Sequence, residues 1–234
     1  MFIKDYSKYL TVLIPMHERS YLDRIIDYYQ DFKKHYNIRV KIIDSSIEDR
    51  SKNLKYDFKN IEYKSYEPED NLNKMRKEVQ LLDTEFSLIA PDDDFYIVES
   101  VISCLKFLIE NKDYSICHGR TLRFDEKKKN LLPSHYQYKH YKSYLNKEYE
   151  KNILDRIEFF YNNFFMINHS VCRTKILKQS RERNYNIKYK NLRKQKYSDQ
   201  IHSFYFLTQG DLKVLPIPYS LRSSDRLIDD KNIN

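Results

Sequence analysis

The sequence of 234 residues predicts an α/β domain with a mainly parallel central sheet flanked by helices. Short β-type apolar runs alternate with segments of helical periodicity through the first half of the chain. Those runs end in proline or aspartate, at the strand ends where an open sheet of this type binds its ligands. One junction stands out: the run Phe86-Ser87-Leu88-Ile89-Ala90-Pro91 passes directly into three carboxylates, Asp92, Asp93 and Asp94. Like charges about 4 Å apart repel by about 4 kcal/mol at an effective dielectric near 20, so an ordered turn of this kind calls for a compensating cation.

The elements follow in order. Residues 10–15 form a compact strand ending at Pro15, and Leu22, Ile25, Ile26, Tyr29, Phe32 and Tyr36 then recur at helical spacing. A second strand over 39–43 stops at Asp44-Ser45-Ser46, and a third lies around 61–66. Leu72, Met75, Val79 and Leu82 mark a helix over 69–82 that leads into the strand at 86–90, and Val101, Ile102, Leu105, Leu108 and Ile109 mark the next helix. Residues 114–118 and 121–124 read as two strands around Gly119. From 126 to 151 the composition shifts to Lys, Tyr, Asn and His without periodicity, the pattern of a long loop or lid. Helical spacing returns at Ile153, Ile157, Phe160 and Phe164 and again at Ile201, Phe204, Tyr205 and Leu207, and a last strand is expected over 212–216. The whole chain, 1–234, reads as a single domain with a more helical C-terminal region.

Composition removes several functions. No apolar stretch approaches the roughly 20 residues of a membrane-spanning helix, and Met1-Phe2-Ile3-Lys4-Asp5 lacks a secretory pattern, so a soluble, cytoplasmic protein is expected. Cys104, Cys117 and Cys172 lack metal-type spacing and read as small core residues. With Gly119 and Gly210 the only glycines, phosphate-cradling and dinucleotide-binding glycine loops are excluded. The formal charge of +8 is concentrated in 173–196, which holds ten Lys or Arg against one acid, Glu182. Such a block is either solvated surface or a face for nucleic acid, anionic lipid or a phosphate-bearing substrate.

Two carboxylates separated by one residue, Asp92 and Asp94, can share a divalent ion that bridges the phosphates of a nucleotide diphosphate. The competing reading makes these residues N-caps of a helix starting near Tyr96, although a cap needs one Asp rather than three. Asp44 is either a turn-forming residue or a hydrogen-bond acceptor for a base.

Three segments together resemble the inverting glycosyltransferases of family 2, which have the nucleotide-diphospho-sugar transferase (GT-A) fold. Thr11-Val12-Leu13-Ile14-Pro15-Met16-His17-Glu18-Arg19 is similar to the family's opening strand and P-T-Y-N-R turn, with Met16, His17 and Glu18 departing from it. Ile42-Ile43-Asp44-Ser45-Ser46 resembles the second strand and its V-D-D-S-S end, and Asp92-Asp93-Asp94 the DxD metal motif. A further departure is Arg76-Lys77-Glu78-Val79, where the family usually has R-N-x-G.

The resemblance implies a nucleotide-sugar-binding half over 1–125 and an acceptor-side half with a basic loop over 126–234. It implies donor contacts from Pro15, His17, Glu18, Arg19, Asp44, Asp92 and Asp93, and a Mn2+ or Mg2+ ion on Asp94 and Asp92. A basic residue one helix before the motif matches Arg76, with Lys74 as its neighbour; both are otherwise solvated helix-surface cations. The general base of the family opens a downstream helix, where Tyr197-Ser198-Asp199-Gln200 stands here, making Asp199 the candidate. Its alternative is an ordinary helix N-terminal acid. His169, Arg222 and His118 are further candidates for acceptor or diphosphate contact, against structural roles for both histidines.

The expected activity is metal-dependent inverting transfer from a nucleotide diphosphate-sugar to a hydroxyl of a glycan or lipid-linked acceptor, in cell-surface polysaccharide synthesis. The basic block would touch the inner face of a membrane, and no nucleic-acid partner is expected. The rivals are a nucleotidyltransferase of similar fold, which the missing glycine signature disfavours, and a non-enzymatic basic module for RNA or polyanions.

Overall fold

The computed structural model describes residues 4–16, 22–45, 61–67, 71–125, 130–133, 152–162, 167–186 and 195–223. In chain order the strands are β1 (Lys4–Asp5), β2 (Leu10–Met16), β3 (Tyr36–Asn37), β4 (Arg39–Asp44), β5 (Ile61–Ser65), β6 (Phe86–Ile89), β7 (Asp94–Tyr96), β8 (Tyr114–Asp125), β9 (Asn130–Pro133), β10 (Val171–Arg173) and β11 (Asp211–Ser223). The helices are α1 (Leu22–His35), α2 (Asn71–Gln80), α3 (Val98–Glu110), α4 (Ile153–Asn162), α5 (Thr174–Tyr185) and α6 (Gln195–Gln209). Nine strands form one sheet in the order β5-β4-β2-β6-β10-β8-β11-β7, with β9 added to β8, and β1 pairs with β3 apart from it.

Both faces of the sheet are covered, which explains why β2 is a continuous apolar run and not an alternating one. Leu10, Val12, Ile14 and Met16 point into a core built with Val40, Ile42, Phe86, Leu88, α1 and α3. Leu13 points the other way, with Ile43 and Ile89, into a second core completed by Met75 and Val79 of α2, Leu177 of α5 and Phe206 of α6. The cysteines are free and buried in these cores, as their spacing predicts.

The strand-helix alternation predicts β2, α1, β4, β5, α2, β6 and α3, and each is present. The sheet is mixed beyond β6, with four parallel and four antiparallel pairings among the described strands. The two strands expected around Gly119 are one, β8, because Gly119 answers a close approach instead of making a turn. A Cβ there would meet the Ile217 carbonyl oxygen at 2.6 Å and the Tyr219 Cβ at 2.8 Å. The last strand runs through Pro216 and Pro218 to Ser223, with register shifts on either side of Pro218 absorbing the missing donors. Most of the lid segment and residues 187–194 of the basic block lie outside the described residues.

Charged groups inside the second layer are paired. Glu78 of α2, fully buried, accepts from Lys41 at 2.6 Å, Lys64 at 2.7 Å and the Tyr66 hydroxyl, fastening α2 to β4 and β5. Between α5 and α6, Asn184 Nδ2 donates to His202 Nε2 at 2.8 Å, so Nδ1 carries the ring proton and donates to Ser180 Oγ at 2.6 Å. Burial, aided by the positive Arg181, holds the His202 pKa well below the ordinary value of 6.5. Burial likewise brings His118 down to about 4.

Below about pH 6.5 the unfolded chain takes up protons that these folded imidazoles refuse, so stability is full above that pH and falls as the pH drops toward 4. Urea titrations should show the unfolding free energy decreasing between pH 6.5 and 4 by up to about 1.4 kcal/mol per pH unit for each such histidine. His202→Asn should flatten that dependence, and an unchanged slope in the variant would remove His202 as a contributor.

Candidate functional site

The chain passes from β2 to β4 on one side and later returns to β6 on the other, so the parallel strands diverge about β2. A crevice beyond their carboxyl ends, at Met16, Asp44 and Ile89, is the position where open α/β sheets bind ligands.

One wall of the crevice is built at the end of β4. Asp44 is buried, and the Tyr63 hydroxyl donates to its Oδ2 at 2.5 Å. The next residue, Ser45, donates its N–H to the Met16 carbonyl at 3.2 Å and accepts at Oγ from Lys74. Lys74 is fully buried, so α2 delivers an ammonium group to the same strand end as Asp44. Arg76, two residues on, emerges from the opposite side of the helix. It bonds Glu182 at 3.2 Å and lies over the Tyr185 ring at 4.3 Å, both on α5. The two cations that the sequence treats as neighbours therefore part, with Lys74 next to Asp44 and Arg76 between two helices. Pro15 is half-buried beside Ile43; His17, Glu18 and Arg19 lie outside the described residues.

The second wall is the carboxylate turn. After β6 the chain turns at Pro91, with the Asp94 N–H donating to its carbonyl at 3.2 Å. None of the three aspartates caps α3, whose N-cap residue is Ile97 with no side-chain cap. Arg24 of α1 stacks over the Phe95 ring at 4.5 Å and reaches the Asp92 carbonyl at 3.4 Å. Asp92 is buried and Asp93 half-buried.

Arg222 lies directly opposite Asp94 in the β11–β7 register. It grips that carboxylate as a fork, Nε to Oδ1 at 2.9 Å and Nη2 to Oδ2 at 2.6 Å. Burial pulls the guanidinium pKa down, and the bonds and charge of Asp94 more than reverse it.

The third wall comes from the far half of the chain. In the turn before β10, His169 Nδ1 lies 3.2 Å from the Ile89 carbonyl, beside the carboxylate turn. Burial, with Arg222 nearby, holds its pKa at about 4 against the pull of Asp199, so the ring is neutral, Nδ1–H donates to Ile89 and Nε2 is left as an acceptor. Asn168 Nδ2 donates to the Asp199 carbonyl at 2.9 Å, and Ser203 bonds both Asn168 and that carbonyl. These bonds pin the backbone of α6 to the turn and leave the half-buried Asp199 carboxylate unspent. Because α6 begins at Gln195, Asp199 stands in its second turn, not at its start.

The charges of Arg222, Asp199 and Arg181 all act on His169, which gathers these groups near the Asp94–Arg222 pair, and the charge of Asp199 also acts on Arg181 of α5. The sequence reading passed over Arg181 by counting it in the basic block. Its signal was position: Leu177, Arg181 and Asn184 share one helix stripe, and the flanking two are buried. Arg24 was also passed over. His118 lies apart on β8, its ring edge-on to Tyr219 at 6.2 Å. Arg173 is spent on the carbonyls of Leu108, Asn111 and Tyr114, where it closes the C-terminal end of α3. Among the described residues, His, Cys, Asp and Glu form no cluster of three or more that could hold a metal, and no helix is long and apolar enough to cross a membrane.

No protein-family model matches the sequence, and no curated protein matches it. Solved structures do. The S. aureus TarS 1–349 structure has a TM-score of 0.63 at 14% identity, over 95% of this chain and 62% of that one. The same TarS segment in complex with UDP-GlcNAc has a TM-score of 0.61 at 16% identity, over 92% of this chain and 58% of that one. The 4-diphosphocytidyl-2C-methyl-D-erythritol synthase of Anaerococcus prevotii has a TM-score of 0.51 at 14% identity, over 90% and 87%. This chain therefore spans less than two thirds of the TarS segment it matches. The fold is GT-A-like, a curled mixed sheet between helical layers.

Removing the Arg222 cation while keeping Asp94 would leave a buried carboxylate uncompensated. Arg222→Met should cost about 3–5 kcal/mol in urea unfolding, and the Arg222→Met/Asp94→Leu double variant substantially less than the sum of the single variants. Additive losses would show that the pair carries no coupling.

Proposed function

We propose that this chain is an inverting glycosyltransferase of family 2 type that moves a sugar from a uridine diphosphate-type donor to a hydroxyl of a glycan or lipid-linked acceptor, in cell-surface polysaccharide synthesis. The observation that carries this reading is the convergence of Asp44 with Lys74, Asp94 with Arg222, and Asp199 with His169 around the strand ends of a GT-A-like sheet. The TarS complexes with UDP and UDP-GlcNAc support the donor class.

Asp44 accepts from the imide N–H of the base, and Lys74 supplies a donor beside it. The carboxylate turn suits Mn2+ or Mg2+, since Asp94 already holds a cation, the Arg222 guanidinium, and such ions bind one or two carboxylates together with substrate phosphates. Asp92 and Asp94 would hold the ion, which when bound neutralises charge developing on the departing diphosphate. The Arg222 fork matches two phosphate oxygens as it matches two carboxylate oxygens.

Asp199 takes the acceptor hydroxyl's proton as that oxygen attacks the anomeric carbon from the face opposite the diphosphate. The carbon–oxygen bond to the acceptor forms as the bond to the diphosphate breaks, and the configuration inverts. Neutral His169, fixed through Ile89, adds no positive charge of its own beside the base. The exposed Lys175 and Arg183 of α5 belong to the segment proposed to touch an anionic membrane face.

Thermal-shift titrations should show stabilisation by UDP and UDP-sugars that is enhanced by Mn2+. Asp199→Asn should keep donor binding while lowering transfer by about 100-fold or more. An absence of any nucleotide-induced shift would defeat the reading. Co-sedimentation with phosphatidylglycerol vesicles should fall when Lys175 and Arg183 are changed to Gln, and unchanged binding would overturn the membrane contact. The likeness to the erythritol synthase favours a second reading, a nucleotidyltransferase, which would release pyrophosphate from a nucleoside triphosphate in place of UDP from a UDP-sugar.

A further inference from the structure

Three polar groups on the far side of Arg222 are unspent among the described residues. The Asp199 carboxylate bonds no side chain, because the hydrogen bonds at that residue go to its backbone carbonyl. His169 uses Nδ1 on Ile89 and leaves Nε2. Arg181 forms no ion pair or hydrogen bond, and its Nε is shut off from solvent without a partner. The charge of Asp199 acts on it without an ion pair between them, and burial lowers the guanidinium to about pKa 10 even so.

A half-buried arginine held off from its counter-ion has lost much of its hydration and gained little in return, a deficit that a bound anion can offset. Ser180 and Asn184, one residue before and three after it, are locked to α6 through His202 and Ser198, so the helix that carries Arg181 cannot turn it away. An ion pair with Arg181 would lower the basicity of a carboxylate that must accept the acceptor's proton. The planar fork of an arginine matches two oxygens of a carboxylate or phosphate, whereas a sugar hydroxyl needs only one donor. The helix carries a net positive charge, with Lys175, Lys178 and Arg183 against Glu182.

We propose that Arg181 is the binding residue for an anionic group of the substrate, a carboxylate or phosphate carried by the transferred sugar or by the acceptor, seated past Asp199 on the side away from the diphosphate. The inference rests on the glycosyltransferase reading above and narrows its substrate to a charged one.

Calorimetry with the full chain and Mn2+ tests it in two arms. In the donor arm, UDP-glucuronate is compared with UDP-glucose. In the acceptor arm, the protein is first saturated with UDP to fill the diphosphate site, and glucose 6-phosphate is compared with glucose. The charged ligand should bind at least about tenfold tighter in one arm, which identifies the source of the anion. Arg181→Met should abolish that preference while leaving the affinity for UDP itself unchanged, and Arg181→Lys should retain part of it. Circular dichroism melts of both variants check the fold, and the lysine variant keeps the test open if the methionine variant does not fold. Equal binding of charged and neutral ligands in both arms, or a preference that survives in Arg181→Met, overturns the proposal while the UDP affinity still supports the transferase. A wild-type protein that binds no UDP overturns both.

Discussion

The fork between Arg222 and Asp94 is the contact on which the far half of the molecule depends. It sets the register of β11 on β7, and through β11 it reaches other elements. The Ile97 N–H donates to the Tyr219 carbonyl at 2.9 Å and Ser100 Oγ to the Pro218 carbonyl at 2.5 Å, so the first turn of α3 hangs on the same strand. Gly119 lets β8 close on Ile217 and Tyr219 from the other side. An ion pair of this burial is a weak source of net stability, because desolvation consumes most of the Coulomb gain. Its contribution is geometric: it fixes a guanidinium against the carboxylate turn at the end of β6.

The remainder of the crevice shows a division of labour between charges. Glu78 is paired with two lysines and a tyrosine, Arg156 with Asp211 and the Leu207 carbonyl, and Arg173 with three carbonyls. These paired groups hold layers together. Asp199, Arg181 and His169 Nε2 differ in kind, since their neighbours fix their backbones and leave their reactive atoms unspent. That contrast separates scaffold from site more sharply than burial does, because His202, buried and fully bonded, sits one helical turn from Asp199.

Much of the first 110 residues was legible in the sequence because β2, β4 and β6 carry buried apolar runs that stop at or just before a marked residue, Pro15, Asp44 or Asp92. The second half was less legible for identifiable reasons. β10 has three residues, too few for periodicity, and gains its place from two antiparallel neighbours. Pro216 and Pro218 signal an end to a strand that in fact bends past them. The block of positive charge obscured its own internal differences, since Arg173, Arg181 and Arg183 look alike in sequence but close a helix, face a carboxylate and stack on Tyr205 in the structure. Lys74 and Arg76 pose the same problem on α2, where helical phase and not residue type decides which one reaches Ser45, the neighbour of Asp44.

The separation of Asp94 from Arg222 has a kinetic consequence. The two lie 128 residues apart in the chain, so their strands pair only after a very large loop has closed. Contacts of such range form late, once the local strand-helix units have condensed. The β2-α1-β4 unit can assemble early with Asp44 in place, while the carboxylate turn waits for β11. A partly folded chain would thus possess the wall around Asp44 without the opposing cation, and completion of the site would report completion of the fold.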